Sequence, residues 1–336
     1  MPTVTGGTAP VTTSCMPASG SSFTVGSTPV TCIATDAVRR ASGCTFAVSV
    51  ALPSPHLSVT RILAFGDSIT EGEVPEPGEF LTVSASGLVR VREVMPDASY
   101  PADLTTMLAQ RYTAQGATRV DAFTFIHSTP TSAEFNDCSH NVPVPTTSGI
   151  VVVNAGCLGA PALSSDSHPT LTRLMDKIGA YNPDLLLLHI GVNDLNSDFP
   201  ATSIAQGLQG VQQLIAYARS RGIRVMVGTL LPQIAADLTH GGSPELIVPF
   251  NNQLRTVVAN ADATLVDLYT DINSNVTAWI SPFDGLHPSA AGYQEIASVW
   301  FNAIKNSGLE TTPSPVPTAT TSSPVRLKPD ATYRHF

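Results

Sequence analysis

Between Arg61 and Asn306 the chain repeats one pattern: a short run that is apolar throughout, then a longer stretch with apolar residues three and four apart. The runs are RILAFG (61–66), VDAFTFI (120–126), IVVVNAG (150–156), DLLLLHI (184–190), IRVMVGTL (223–230) and TLVDLY (264–269). A strand with apolar side chains on both faces has neither face to give to water. It must be covered on both sides, as in a parallel sheet with crossover helices. The intervening stretches supply such helices. SIAQGLQGVQQLIAYARSRG puts Ile204, Leu208, Val211, Leu214 and Ile215 on one face, carries arginines in its last turn and meets Gly222 just beyond. ADLTTMLAQRYTAQG and SAAGYQEIASVWFNAIKN read the same way. The sequence therefore predicts an α/β domain over 61–308, three layers deep, with ligands bound at the carboxyl ends of the strands.

The flanks differ in texture. Residues 1–52 are rich in Thr, Val and Ser, and PVTTSC (10–15), TPVTCIAT (28–35) and CTFAVSVAL (44–52) read as strands of a small, partial β-sandwich segment. Residues 53–60 form a short linker, and 309–336 read as a Thr/Pro/Ser-rich disordered tail. Two insertions interrupt the α/β alternation. EFLTVSASGLVRVRE (79–93) predicts a β-hairpin, and residues 127–149 a long loop; both are placed to rim the cleft at the strand ends. Leu81, Val83, Leu88 and Val89 of the hairpin serve either as an acyl-binding wall or as edge packing.

Several function classes are excluded on composition. The net charge is −9 and no basic stripe is present, so nucleic acid is not an expected partner. No apolar run approaches the ~20 residues of a membrane helix. The histidines His127, His140, His168 and His240 lack ligand spacing, and no metal or other cofactor is expected. Five cysteines, Cys15, Cys32, Cys44, Cys138 and Cys157, contain no C-x-x-C pair. With only 13% charged residues and much Thr and Ser, they suit a secreted protein with disulfides. The opening MPTVTGGTAP has neither a basic nor an apolar leader region, so a signal peptide is expected to lie outside this sequence. Cys138 and Cys157 flank one strand. Either they pair and pin the long insertion, or Cys157 is a free, inert thiol.

The first apolar run stops at Gly66-Asp67-Ser68, which sets a serine hydroxyl at a strand tip. Taken alone, Ser68 reads as a helix cap. As a nucleophile it would need a base, an orienting acid and oxyanion donors. G-x-S-x-G is absent, which argues against an ordinary α/β-hydrolase. Asp-x-x-His occurs at 137–140, 237–240 and 284–287. Asp284 to His287 follows the last strand and precedes Pro288-Ser289, which open the last helix, so it lies at the same edge as Ser68. The other two sit in loops and read as solvated pairs. Asn154-Ala-Gly-Cys-Leu-Gly159 and Gly191-Val-Asn193-Asp194 follow two further strands, and offer a backbone N–H and a side-chain amide. Asp67 and Asp194 read as ligands of loop backbone, and His189 as a core histidine.

FGDSITEG, NAGCLG, IGVND and DGLHPS, in that order and each at a strand end, resemble the SGNH (GDSL) hydrolase family over about residues 61–306. The resemblance implies a flavodoxin-like three-layer fold and a serine esterase acting through an acyl-enzyme. It implies Ser68 as nucleophile, His287 as base and Asp284 as its orienting acid. The oxyanion hole would be the N–H groups of Ser68 and Gly159 and the amide of Asn193. An acidic residue is common after the glycine of the second block, where this chain has Ala160. The expected substrate is a small-molecule or glycan ester, with short acyl chains favoured, and the expected state is a monomer. Alternatives are an acetylated-glycan esterase, a lysophospholipase or thioesterase, and a non-catalytic adhesion or carbohydrate-binding protein. SCMPASGSSFTVGSTPVTCIATDA followed by CTFAVSV resembles the C-terminal part of a hyalin-repeat, immunoglobulin-like module. That resemblance implies a Cys15–Cys32 pair, with Cys44 left over.

Overall fold

A computed structural model describes residues 3–74, 81–84, 87–90, 95–126, 135–163, 169–195, 200–234, 243–312, 316–319 and 325–326. The chain divides into two units, one of residues 56–311 and one formed by residues 1–55 together with 312–336.

The larger unit is built on a six-stranded parallel sheet. In spatial order its strands are Thr264–Val266, Arg224–Gly228, Leu185–His189, Arg61–Gly66, Ile150–Ala155 and Ala117–Asp121. Helices Tyr100–Arg111, Thr170–Tyr181, Pro200–Ser220, Pro244–Asn260 and Ala290–Asn306 complete the three-layer α/β/α architecture. Without the Ala117–Asp121 edge strand, the order is that of a flavodoxin-like sheet. Strand Arg61–Gly66 pairs with Ile150–Ala155 on one side and Leu185–His189 on the other. The chain winds first to one side of it and then to the other, so the topological switch point lies at its carboxyl end. The three middle strands are buried along almost their whole length, as their unbroken apolar runs require.

The expected run 120–126 is two elements. Ala117–Asp121 joins the sheet, whereas Thr124–Ile126 turns away and pairs antiparallel with Phe135–Asp137. The expected hairpin pairs Leu81–Ser84 with Gly87–Arg90. The side chains of Leu81, Val83, Leu88 and Val89 lie outside the described residues, as do residues 237–240, His127 and His168. Among the described residues, no helix is long and apolar enough to cross a membrane.

In the smaller unit, Thr12–Met16, Gly26–Thr35 and Ala41–Ala51 form consecutive antiparallel strands. Cys15 stands opposite Cys32, and the two are bridged. Cys44 stands opposite Cys32 on its other side and is a free thiol. Alternate side chains Val30, Cys32, Val48 and Val50 form the core of this sheet.

Two expectations need correction. The 53–60 linker contains a short strand, His56–Leu57, which pairs with Glu310–Thr311. Residues from 309 onward were expected to form a tail, but Val316–Ala319 adds a fourth strand beside Ala41–Ala51, and Val325–Arg326 pairs with Val4–Thr5. The physical reason is the open edge of Ala41–Ala51. A row of unpaired backbone groups accepts a weakly apolar segment such as VPTA, which could not fold alone. Truncation after Thr311 should therefore speed hydrogen exchange at those amides of Val48–Ala51 that do not face Gly26–Thr35. Exchange in strand Arg61–Gly66 should not change. Unaltered exchange at 48–51 would show that this strand adds no protection.

Candidate active site

The backbone turns sharply after Arg61–Gly66. A Cβ on Gly66 would lie 2.1 Å from Thr70 Oγ1 and 2.2 Å from the His189 carbonyl, so only glycine fits. Asp67 then caps a single helical turn, Ser68–Glu71, its Oδ1 accepting from Ile69 N at 3.1 Å. Gly72 closes the turn at φ 112° and donates to the Ser68 carbonyl at 2.9 Å. Ser68 is thereby held at the tip of the central strand, almost fully buried.

His287 arrives from the far end of the chain. Asp284 Oδ1 accepts from the amides of Leu286 and His287, each at 3.0 Å, and Oδ2 lies 2.5 Å from His287 Nδ1. Ser281 N donates to the His287 carbonyl at 2.9 Å, and Ser289 caps the following helix by accepting from Gly292 N at 3.1 Å. His287 Nε2 lies 2.8 Å from Ser68 Oγ. An ionised Asp284 can only accept, so Nδ1 carries a proton and Nε2 is left to accept from the serine hydroxyl. The Asp284 carboxyl is depressed: burial works to raise it, but hydrogen bonds from His287 and Leu286 and the imidazole charge prevail.

The expected oxyanion residues lie on adjoining loops. Gly156 presses on the Ser68–Glu71 turn, where a Cβ would meet Glu71 N at 2.1 Å. Asn154 Nδ2 donates to the Glu71 carbonyl at 3.1 Å. Asn193 Nδ2 donates to the Ala160 carbonyl at 3.1 Å, which joins the third block to the second next to Gly159 and leaves one amide hydrogen over. Asp194 accepts from Ala162 N at 2.6 Å and Leu163 N at 3.2 Å. Asp67 and Asp194 thus both bind loop backbone.

Four groups escaped the sequence reading. Arg173 is buried, stacks 3.9 Å from the Phe65 ring centroid, and donates to the Ala155 carbonyl at 2.7 Å and the Gly66 carbonyl at 2.9 Å. Burial pushes its guanidinium down to about 10, against the pull of Glu71 and Asp67. Lys177, four residues on, is also buried. The signal was present: Arg173 and Lys177 share the helical face of Leu174, Ile178 and Tyr181, so both cations sit within an apolar stripe. Glu71 ends the turn that begins at Ser68, Glu73 follows it, and both are buried. Glu73 Oε2 stands 3.2 Å from His287 Nε2, a contact that is attractive only with a proton on one of the two groups.

The other candidates lie elsewhere. His189 is buried at the end of its strand, and burial pushes it down to about 4. Its ring nitrogens make no well-formed hydrogen bond, the Thr229 backbone offering only a weak one. His140 contributes its carbonyl to Lys177, and Cys138 of the same Asp-x-x-His is bridged to Cys157. A cleft of about 710 Å³, bordered by Val59, Ile178, Asp184 and Arg224, opens at the opposite, amino edge of the sheet and contains none of these groups. Among the described residues, no group of three or more His, Cys, Asp or Glu could hold a metal ion.

Residues 140–295 match the model of the GDSL-like lipase/acylhydrolase family. That stretch contains Gly159, Asn193, Asp284 and His287; Ser68 lies before it. A multidomain esterase of Ruminococcus flavefaciens is 30% identical over 134 residues. The aligned stretch is 39% of this chain and 16% of that protein, so the chain spans a small part of its relative. Among solved structures, a lipase/acylhydrolase from Enterococcus faecalis is 18% identical, covers 75% of this chain and 98% of its own, and has a TM-score of 0.49. An acetylxylan esterase from Geobacillus stearothermophilus is 17% identical, with 72% and 93% covered and a TM-score of 0.43. The family match does not reach residues 1–52, where the hyalin-repeat resemblance stands on its sequence run alone.

The site holds protons in its folded state. Burial pushes the Glu71 carboxyl up to about 8, with the neighbouring Glu73 adding to it, and burial pushes Asp67 up to about 7. A carboxyl raised on folding stabilises fully below its unfolded value, and that contribution is lost as pH rises through the folded value. Glu71 should therefore make Tm fall between about pH 4 and about pH 8. In Glu71→Gln the fall should be shallower than in wild type. Parallel Tm–pH curves would show that Glu71 is ionised in the folded protein.

Proposed function

We propose that this chain is a serine-dependent carboxylic ester hydrolase preferring short acyl groups. The carrying observation is the hydrogen-bonded chain Ser68–His287–Asp284 at the switch point of the sheet. In this reading His287 Nε2 takes the Ser68 proton as Oγ attacks the ester carbonyl. Asp284 holds the imidazole in the required tautomer and stabilises the imidazolium. The tetrahedral oxyanion is met by the N–H groups of Ser68 and Gly159 and the free hydrogen of Asn193 Nδ2. His287 returns the proton to the leaving alcohol. It then deprotonates a water that hydrolyses the acyl-enzyme. The family match over 140–295 and the esterase relative support the reaction class. The two disulfides support a secreted protein.

The test is hydrolysis of p-nitrophenyl esters from acetate to palmitate by wild type and Ser68→Ala. Serine-dependent turnover peaking at short chains is expected. A long-chain peak would move the reading to a lysophospholipase or thioesterase, and no Ser68-dependent turnover would sink it in favour of binding. Ser68→Ala and His287→Ala should each lower kcat by several orders of magnitude, and the double variant little further, because the groups act as one unit. Additive losses would disprove the shared role. Asn193→Ala should lower kcat by on the order of 10²–10³ with KM little changed. An effect on KM alone would remove Asn193 from the oxyanion hole.

A further inference from the structure

The loop that carries Gly159 has firm anchors on either side of its apex and few noncovalent ones at it. Before the apex, Gly156 N donates to Asn154 Oδ1 at 3.1 Å. After it, the Ala160 carbonyl takes Asn193, and the amides of Ala162 and Leu163 go to Asp194. Between those anchors, Ala160 N returns to the Cys157 carbonyl at 3.1 Å, and the Leu158 amide makes only a weak contact with Glu71, whose carboxyl oxygens have no well-formed hydrogen bond. Gly159 is exposed at φ 68°, and a Cβ there would meet nothing within 4 Å.

A covalent link compensates. Cys157 is bridged to Cys138, and the segment after Cys138 is built into the domain. Lys177 Nζ donates to the His140 carbonyl at 2.5 Å, to Asn141 Oδ1 at 3.1 Å and to the Ala122 carbonyl at 2.7 Å. Tyr181 Oη accepts from Val142 N at 2.9 Å and donates to the Val142 carbonyl at 3.2 Å. Both side chains come from the helix whose Arg173 holds the ends of the adjacent strands Arg61–Gly66 and Ile150–Ala155. The bridge therefore ties the apex to the same support that fixes the nucleophile's strand.

We infer that the Cys138–Cys157 bridge is a positioning element for the Gly159 amide, and that ester turnover falls when the bridge is opened. The inference rests on the proposed role of Gly159. A dithiol opens the bridge by attacking one sulfur to form a mixed disulfide, then closing on itself as a cyclic disulfide. Two electrons and two protons pass to the protein, and Cys138 and Cys157 are left as thiols. The Gly159 N–H then loses its fixed direction. Because that donor matters most when negative charge develops on the oxygen, kcat should fall while KM barely moves.

Kinetics on p-nitrophenyl acetate would be compared for native enzyme, dithiothreitol-reduced enzyme and reoxidised enzyme. Alkylation and mass mapping would show which cysteines had opened. Cys138→Ser/Cys157→Ser tests the bridge directly, and Cys15→Ser/Cys32→Ser controls for the other one. A drop in kcat of about tenfold or more is expected in the reduced enzyme and the first double variant, with KM within about twofold. Reoxidation should restore the reduced enzyme. Cys15→Ser/Cys32→Ser should keep native kcat and lose it on reduction. Unchanged kcat with Cys138 and Cys157 alkylated would overturn the inference. If the first double variant does not fold, the reduced wild type with a native circular-dichroism spectrum decides. If wild type shows no Ser68-dependent turnover, the esterase reading fails instead. The order parameter of the Gly159 amide before and after reduction then tests the bridge alone, and an unchanged value rejects it.

Discussion

The guanidinium of Arg173 holds together the two strand ends from which the site grows. The Gly66 and Ala155 carbonyls end adjacent parallel strands, where the ladder has no further N–H to offer. One planar cation satisfies both and covers Phe65 with its face. Burying that charge costs several kcal/mol before compensation. Two hydrogen bonds, the ring face and the nearby carboxyls of Asp67 and Glu71 offset it. The turn bearing Ser68 and the loop bearing Gly159 leave from these two ends, so a shift at Arg173 would reach both.

Around this cation the site gathers buried carboxyls with opposite tendencies. Asp284 is pulled down because backbone amides and His287 point at it. Asp67, Glu71 and Asp194 are pushed up because burial outweighs the few donors they face. Carboxyls thus supply both an ionised partner for the imidazole and, in Glu71, a strongly raised group that makes the site less negative than its composition implies.

What the sequence disclosed was local. Unbroken apolar runs marked the sheet, since a doubly covered strand has no polar face to hide its pattern. Ser68 stood out because it sits in a short motif at the end of such a run, whereas His287 lies past the last run, just before the final helix, and position chose it among three Asp-x-x-His pairs. Arg173 and Lys177 were missed because a cation on a helix ordinarily marks a solvent face. The strand Val316–Ala319 was missed because its partner edge lies some 270 residues earlier, and nothing in VPTA announces it. Residues 120–126 were read as one strand because their apolar run continues through Ala122 and Phe123, beyond the point where sheet pairing stops.

The pairing of His56–Leu57 with Glu310–Thr311 brings the two ends of the larger unit together. Topologically that unit is a long insertion between the third and fourth strands of a small sheet, with entry and exit at one point. During vectorial synthesis the small sheet therefore waits, one edge bare, until the whole hydrolase-like unit has been made. Its last strand can act as a latch set only after the larger unit has emerged.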